Sequence, residues 1–109
     1  MLSHFTATNR LDAKGNPSGG IVSGTGLSIF WQDGPLGRGA DRQEPNGAFV
    51  ETVIAAARQR LEFYQTASLG RFACVENAEA IDLLTAALEV LDRRTQGREA
   101  RQVEGTHTV

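Results

Sequence analysis

Hydrophobic residues along this chain change period near residue 46. In "GIVSGTGLSIFWQ", Ile21, Leu27, Ile29 and Trp31 occupy odd positions against Ser28 and Gln32 at even ones. That alternation predicts half-buried β-structure. Gly24 and Gly26 fall inside it and predict two strands or a bulge. The preceding stretch from His4 to Gly20 is polar and carries "DAKGNPSGG", whose Gly, Asn and Pro favour a loop or mobile hairpin. The following "DGPLGRGADRQEPNG" reads as loop by composition.

Beyond Pro45 the period lengthens to that of a helix. Asn46 is a candidate cap, and Val50, Val53, Ile54, Ala57, Leu61 and Tyr64 form one apolar stripe. "TASLG" breaks the pattern, which resumes with Ile81, Leu84, Leu88 and Leu91 on a second helix starting near Glu76 or Asn77. Two amphipathic helices with a short connection bury their stripes against each other as an antiparallel hairpin. The expected fold is α+β, with short N-terminal β-strands (residues 1–45) packed on a C-terminal two-helix hairpin (residues 46–109) in a single domain, 1–109.

A chain of 109 residues buries a modest core, so a homo-oligomer, a dimer or a hexamer, is the expected source of missing burial. The formal charge of -2 argues against a general DNA binder, which needs a broad basic surface. No apolar run reaches membrane-spanning length, Cys74 has no partner for a disulfide, and Met1-Leu2-Ser3-His4 starts no signal peptide, so a cytoplasmic protein is expected.

The positive charge is local and chemically uniform. Of eleven basic residues only Lys14 is a lysine, and arginine suits planar, bidentate recognition of phosphate. Arg93, Arg94, Arg98 and Arg101 crowd the C-terminal segment. If the helix continues past Gly97, which costs about 1 kcal/mol against alanine, Arg94, Arg98 and Arg101 share a face at i, i+4 and i+7. A helix C-terminus also carries arginine simply to complement its dipole, and Glu99 and Glu104 stand close enough in sequence to neutralise part of the row. "DGPLGRG" lacks the GxxxxGK[ST] phosphate-loop pattern and reads better as a surface turn. Trp31 and Phe72 are candidate stacking residues, with core burial the commoner role for either. His4, Cys74 and His107 form no metal-spaced cluster and no nucleophile-base pair is spaced for catalysis, so neither a metal, a cofactor nor an enzyme is expected.

Taken together, "WQDGPLGRG", "NGAFVETVI", "RLEFYQ" and "RFACVENAEAIDLLTAALEVLDRRTQGREARQVEGTH" resemble the small phage proteins of the Thoeris anti-defence family, first type. These share a helical hairpin with phage anti-CBASS sponges. The resemblance runs from about Gly20 to the C-terminal segment and implies a sponge that binds a cyclic ADP-ribose isomer, glycocyclic ADP-ribose, and holds it without degrading it. Some members also bind cyclic oligonucleotides at a separate site. The resemblance implies a pocket between subunits, with Arg94, Arg98 and Arg101 on the diphosphate, Phe72 stacking and Asn77 making polar contacts; Trp31 is carried as a further ligand-binding candidate. Gln102 stands where a glycine is expected from that pattern, and Val75 where a basic residue is expected. The contrasting reading is a protein-interaction module whose arginine-rich tail docks on an acidic partner; a hydrolase of the same signal is a third.

Overall fold

A computed structural model describes residues 1–109. Three strands, β1 (Phe5–Leu11), β2 (Pro17–Gly24) and β3 (Leu27–Trp31), precede two helices, α1 (Val50–Gly70) and α2 (Val75–Ala100). The fold is α+β, as the change of period predicts. The chain divides into two compact units, Met1–Phe49 with Arg98–Val109, and Val50–Gly97.

In the first unit the strands form an antiparallel sheet in the order β1-β2-β3. The interruption at Gly24 and Gly26 resolves into two strands: Gly24 pairs with Leu27, leaving Thr25 and Gly26 as the turn. The segment expected as a loop or mobile hairpin is an ordered hairpin, because Asp12 organises its turn. Its carboxylate Oδ1 accepts the amides of Lys14 at 2.8 Å and Asn16 at 3.0 Å. Those bonds, with the Asn16 amide the largest cause, hold the Asp12 carboxyl below the usual carboxylate range. Pairing sets Ala7, Val22 and Ile29 side by side on one face, and Val22 is the buried hydrophobe. Gly20 lets β1 and β2 approach, since a Cβ there would lie 2.3 Å from the Thr8 carbonyl oxygen.

Asn46 does not cap α1, which begins at Val50. Its side chain ties the loop after β3 to the strand end, accepting the Asp33 amide at 2.8 Å and donating to the Asp33 carbonyl at 3.2 Å. Ala48 then bonds Phe30 and Gln32 through its own amide and carbonyl, so the backbone is committed to a bridge before helical geometry begins.

The second unit is an antiparallel helical hairpin held by a ladder of polar contacts. Glu51 meets Arg94 at 3.0 Å, Arg58 meets Thr85 at 3.3 Å, and the Gln65 amide clasps both backbone groups of Cys74 at 2.9 and 3.0 Å. Rising positions on α1 thus match falling positions on α2. Ile81, Leu84, Leu88 and Leu91 are half-buried as their spacing predicts, whereas on α1 Val50, Ala57 and Tyr64 are exposed. The inner stripe there runs through Ile54, Arg58, Leu61 and Gln65. Neither helix contains a fully buried residue. The break at "TASLG" is real: Ala67 leaves helical geometry, and Ser68, Leu69 and Gly70 follow with φ of 53°, 60° and 80°. α2 is then capped by Cys74, whose Sγ accepts the Asn77 amide at 3.4 Å.

Candidate functional site: the arginines and the C-terminal tail

Arg94, Arg98 and Arg101 share one face only if the second helix crosses Gly97 and runs on past Arg101. The helix crosses Gly97 but stops at Ala100, so Arg94 and Arg98 stand four residues apart on one helix and the expected third member of the row is lost. Arg101 lies just beyond the helix, where the chain reverses. The Val103 amide bonds the Arg98 carbonyl at 3.0 Å and the Gln102 amide bonds the Glu99 carbonyl at 2.9 Å, the pair of bonds that defines a Schellman ending. That motif places one residue in the left-handed region, usually glycine, and here it is Gln102 with φ of 59°. The position where the resembled pattern carries glycine is the one whose backbone favours it.

Arg94, Arg98 and Arg101 each have oxygen partners within their own unit. In the helical hairpin Arg94 pairs with Glu51 across the two helix ends, the arginine remaining 62% exposed. In the first unit Arg98 is the hub of the tail and only 20% exposed. Its Nε donates to the Glu104 carboxylate at 2.9 Å, Nη1 to the Thr108 carbonyl at 2.7 Å, and Nη2 to the carbonyls of Val103 at 3.0 Å and Thr106 at 3.1 Å. Four of its five N–H groups are engaged, so one remains for anything else. Arg101 donates to the Val109 carbonyl at 2.9 Å.

The tail lines an open cavity of about 460 Å³ in the first unit. Thr106, His107 and Thr108 face Asn16 in the β1–β2 turn and Gln32 and Pro35 after β3, with Arg98 at the wall. Trp31 sits half-buried at the end of β3, where its backbone bridges Ala48. Gly47 permits that approach, because a Cβ on it would lie 2.6 Å from the Trp31 carbonyl.

Phe72 and Asn77 lie at the other end of the hairpin from Arg94. Phe72 is 56% exposed at the tip with the Arg71 guanidinium 5.2 Å from its ring centroid, and Asn77 is half-buried in the first turn of α2. Seventeen helical steps lead from Asn77 to Arg94, roughly 25 Å at a rise of ~1.5 Å each. The two do not meet within one chain.

Sequence reasoning missed the residues that organise the tail. Arg38 of the "DGPLGRG" segment bonds the Glu104 carbonyl at 2.8 Å and pairs with Glu99 at 3.1 Å, so this loop is a brace, neither a phosphate loop nor a loose turn. Gly37 and Gly105 cross closely, the Gly37 amide donating to the Gly105 carbonyl at 2.9 Å. Beforehand Gly37 was read as part of a surface turn, and its partnership with Gly105, far apart in sequence, left no trace in spacing.

The chain is similar to a Thoeris anti-defence protein. The relative, Thoeris anti-defense 1 of Bacillus phage SBSphiJ7, is 47% identical over 62 residues, which amount to 57% of this chain and 42% of that protein. The match therefore spans less than half the relative's length. No protein-family model matches the chain. No helix is long and apolar enough to cross a membrane.

Proposed function

We propose that this chain is a phage anti-defence protein that sequesters, without degrading, the glycocyclic ADP-ribose signal of Thoeris immunity in the host cytoplasm. The similarity to Thoeris anti-defense 1 carries the reading. The arginines give it a chemical basis: charge-assisted, bidentate bonds suit a diphosphate, while a formal charge of -2 keeps the remaining surface unattractive to DNA. On this reading Arg94, Arg98 and Arg101 hold the diphosphate, Phe72 stacks on the base, and Asn77 and Trp31 contribute contacts around it. The protein has no catalytic role.

The roughly 25 Å between Asn77 and Arg94 supports a pocket shared by two copies, in which the tip of one hairpin meets the arginine end of another. Apolar surface on α2 supports the same arrangement. Leu83 is 65% and Val90 52% exposed, and with the half-buried Ala80 and Ala87 they recur at alternating three- and four-residue steps, the spacing of a helix-pairing seam. A homo-oligomer thus completes both the pocket and the burial that the helical unit lacks. Cyclic oligonucleotides are a second ligand class on the same reading, at a separate site.

The test is direct. Purified protein is mixed with a lysate containing the signal made by a TIR-domain enzyme, washed, heat-denatured, and the released molecules are read by mass spectrometry. Intact signal is the expected result. A product of altered mass would make the protein an enzyme, and an empty protein would favour the interaction module with its arginine-rich tail on an acidic partner. Arg94→Ala, folded as the wild type, is expected to lose the signal; undiminished affinity would overturn the assigned pocket.

A further inference from the structure

Arg38 lies far in sequence from the arginine-rich segment, yet it is bonded into it. Its Nη1 donates to the Glu104 carbonyl at 2.8 Å and to Glu99 Oε2 at 3.3 Å, while Nη2 donates to Glu99 Oε1 at 3.1 Å. One guanidinium therefore clamps the last turn of α2 to the tail. The other end of Glu104, its carboxylate, receives Nε of Arg98 at 2.9 Å. Glu104 is thus held by its backbone from one side and orients Arg98 from the other. Next to it the Gly37–Gly105 crossing leaves no slack, since a Cβ on Gly105 would lie 2.4 Å from the Gly37 carbonyl oxygen. Three of the five N–H groups of Arg38 are committed to Glu99 and Glu104, which ties this guanidinium to the tail.

We propose that Arg38 is a positioning residue for ligand binding: acting through Glu104, it fixes the tail and thereby the Arg98 guanidinium and the cavity wall formed by Thr106, His107 and Thr108. This rests on the reading above, in which Arg98 faces the diphosphate of the signal. The planar fork reaches acceptors on two segments at once, Glu99 and Glu104; a point charge keeps the bond to the Glu104 carbonyl, which holds the tail, and reaches the Glu99 carboxylate less completely. A tail that is ordered only part of the time reduces apparent affinity by the competent fraction, chiefly through slower productive association.

Three variants test this: Arg38→Met, which removes every donor; Arg38→Lys, which retains one for the Glu104 carbonyl; and Glu99→Gln, which removes only the charge of the partner. Hydrogen exchange at the Val103 and Thr106 amides reports the tail, and stopped-flow mixing with purified glycocyclic ADP-ribose gives association and dissociation rates. Arg38→Met is expected to expose both amides and slow association on the order of tenfold, with dissociation little changed and the melting temperature of the helices unmoved. Arg38→Lys should recover most of the association rate, and Glu99→Gln should fall between. Exposed amides with unchanged association would overturn the proposal, as would equal losses in the Lys and Met variants accompanied by a lower melting temperature. Wild-type protein that takes up no signal would instead sink the underlying reading, and this proposal with it.

Discussion

Gln102→Gly should make the tail more stable. The residue occupies the left-handed position of the Schellman ending, at φ of 59°, where an L-residue costs roughly 1–2 kcal/mol. Glycine removes that cost but carries about 0.5–1 kcal/mol of extra entropy in the unfolded chain. The balance is a gain of roughly 0.5–1 kcal/mol. The side chain contributes no hydrogen bond that would be lost with it; the motif is made by the amides of Gln102 and Val103. The sensitive probe is the Val103 amide, because its bond to the Arg98 carbonyl breaks whenever the tail opens. Its exchange should slow about two- to fivefold in the glycine variant. Gln102→Ala is the control: it keeps the L-configuration, so its effect should stay within a few tenths of a kcal/mol. Faster exchange in the glycine variant, or an equal gain in the alanine variant, would refute the assignment of strain to this backbone position.

Other consequences follow from single contacts. Arg98→Lys replaces a fork reaching Glu104, Val103, Thr106 and Thr108 by one nitrogen, so the tail should loosen by about 1–3 kcal/mol, read by exchange at the Thr106 amide. Gly20→Ala places a methyl 2.3 Å from a backbone oxygen of the neighbouring strand and should cost roughly 1–3 kcal/mol, visible as a lower melting temperature of the sheet. The carboxyl of Asp12 is held below its ordinary value of 3.8, so its bonds stabilise the β1–β2 turn above that pH and are lost as pH falls through the lowered value. An NMR titration should show the Lys14 and Asn16 amides shifting together in strong acid; amides that stay put would contradict it.

What could be read beforehand follows from where the information sits. β3 was legible because Leu27, Ile29 and Trp31 alternate with Ser28, whereas in β2 the odd-position reading chose the wrong face: across the turn Val22, not Ile21, pairs with Ile29 and is buried, and Ile21 pairs with Phe30 on the other face. β1 was not legible: all seven residues of "FTATNRL" are exposed, and the strand exists through backbone pairing with β2 that any polar sequence can make. The second helix declared its inner face through leucines, whereas the first turns Arg58 and Gln65 inward because each finds a polar partner on the opposite side, Thr85 and Cys74. The arginine cluster was visible as composition, and its helical continuation past Gly97 is confirmed. The tail's architecture was hidden because Arg98 binds mostly main-chain carbonyls, which every residue carries, and Arg38 binds Glu99 and Glu104 from more than sixty positions away in sequence.

The two central arginines stand in different states, and the difference bears on the proposed chemistry. Arg94 is paired with Glu51 across exposed helix ends, a kind of ion pair worth about 0–1 kcal/mol. A phosphate that takes Glu51's place exchanges one oxygen pair for another at little net cost. Arg98 is wrapped by one carboxylate and three carbonyls, and displacing them would dismantle the tail. It has one donor to spare. On the proposed reading Arg94 is therefore the exchangeable arginine, recruited by swapping Glu51 for phosphate. Arg98 is the fixed one, contributing charge and a single donor from a wall it also holds up. A single phosphate competes with Glu51 for Arg94 and gains little. On the proposed reading, Glu51 thus sets a threshold at Arg94: an anion that satisfies this arginine alone replaces one ion pair with another, and a ligand held there draws its affinity from contacts beyond that pair.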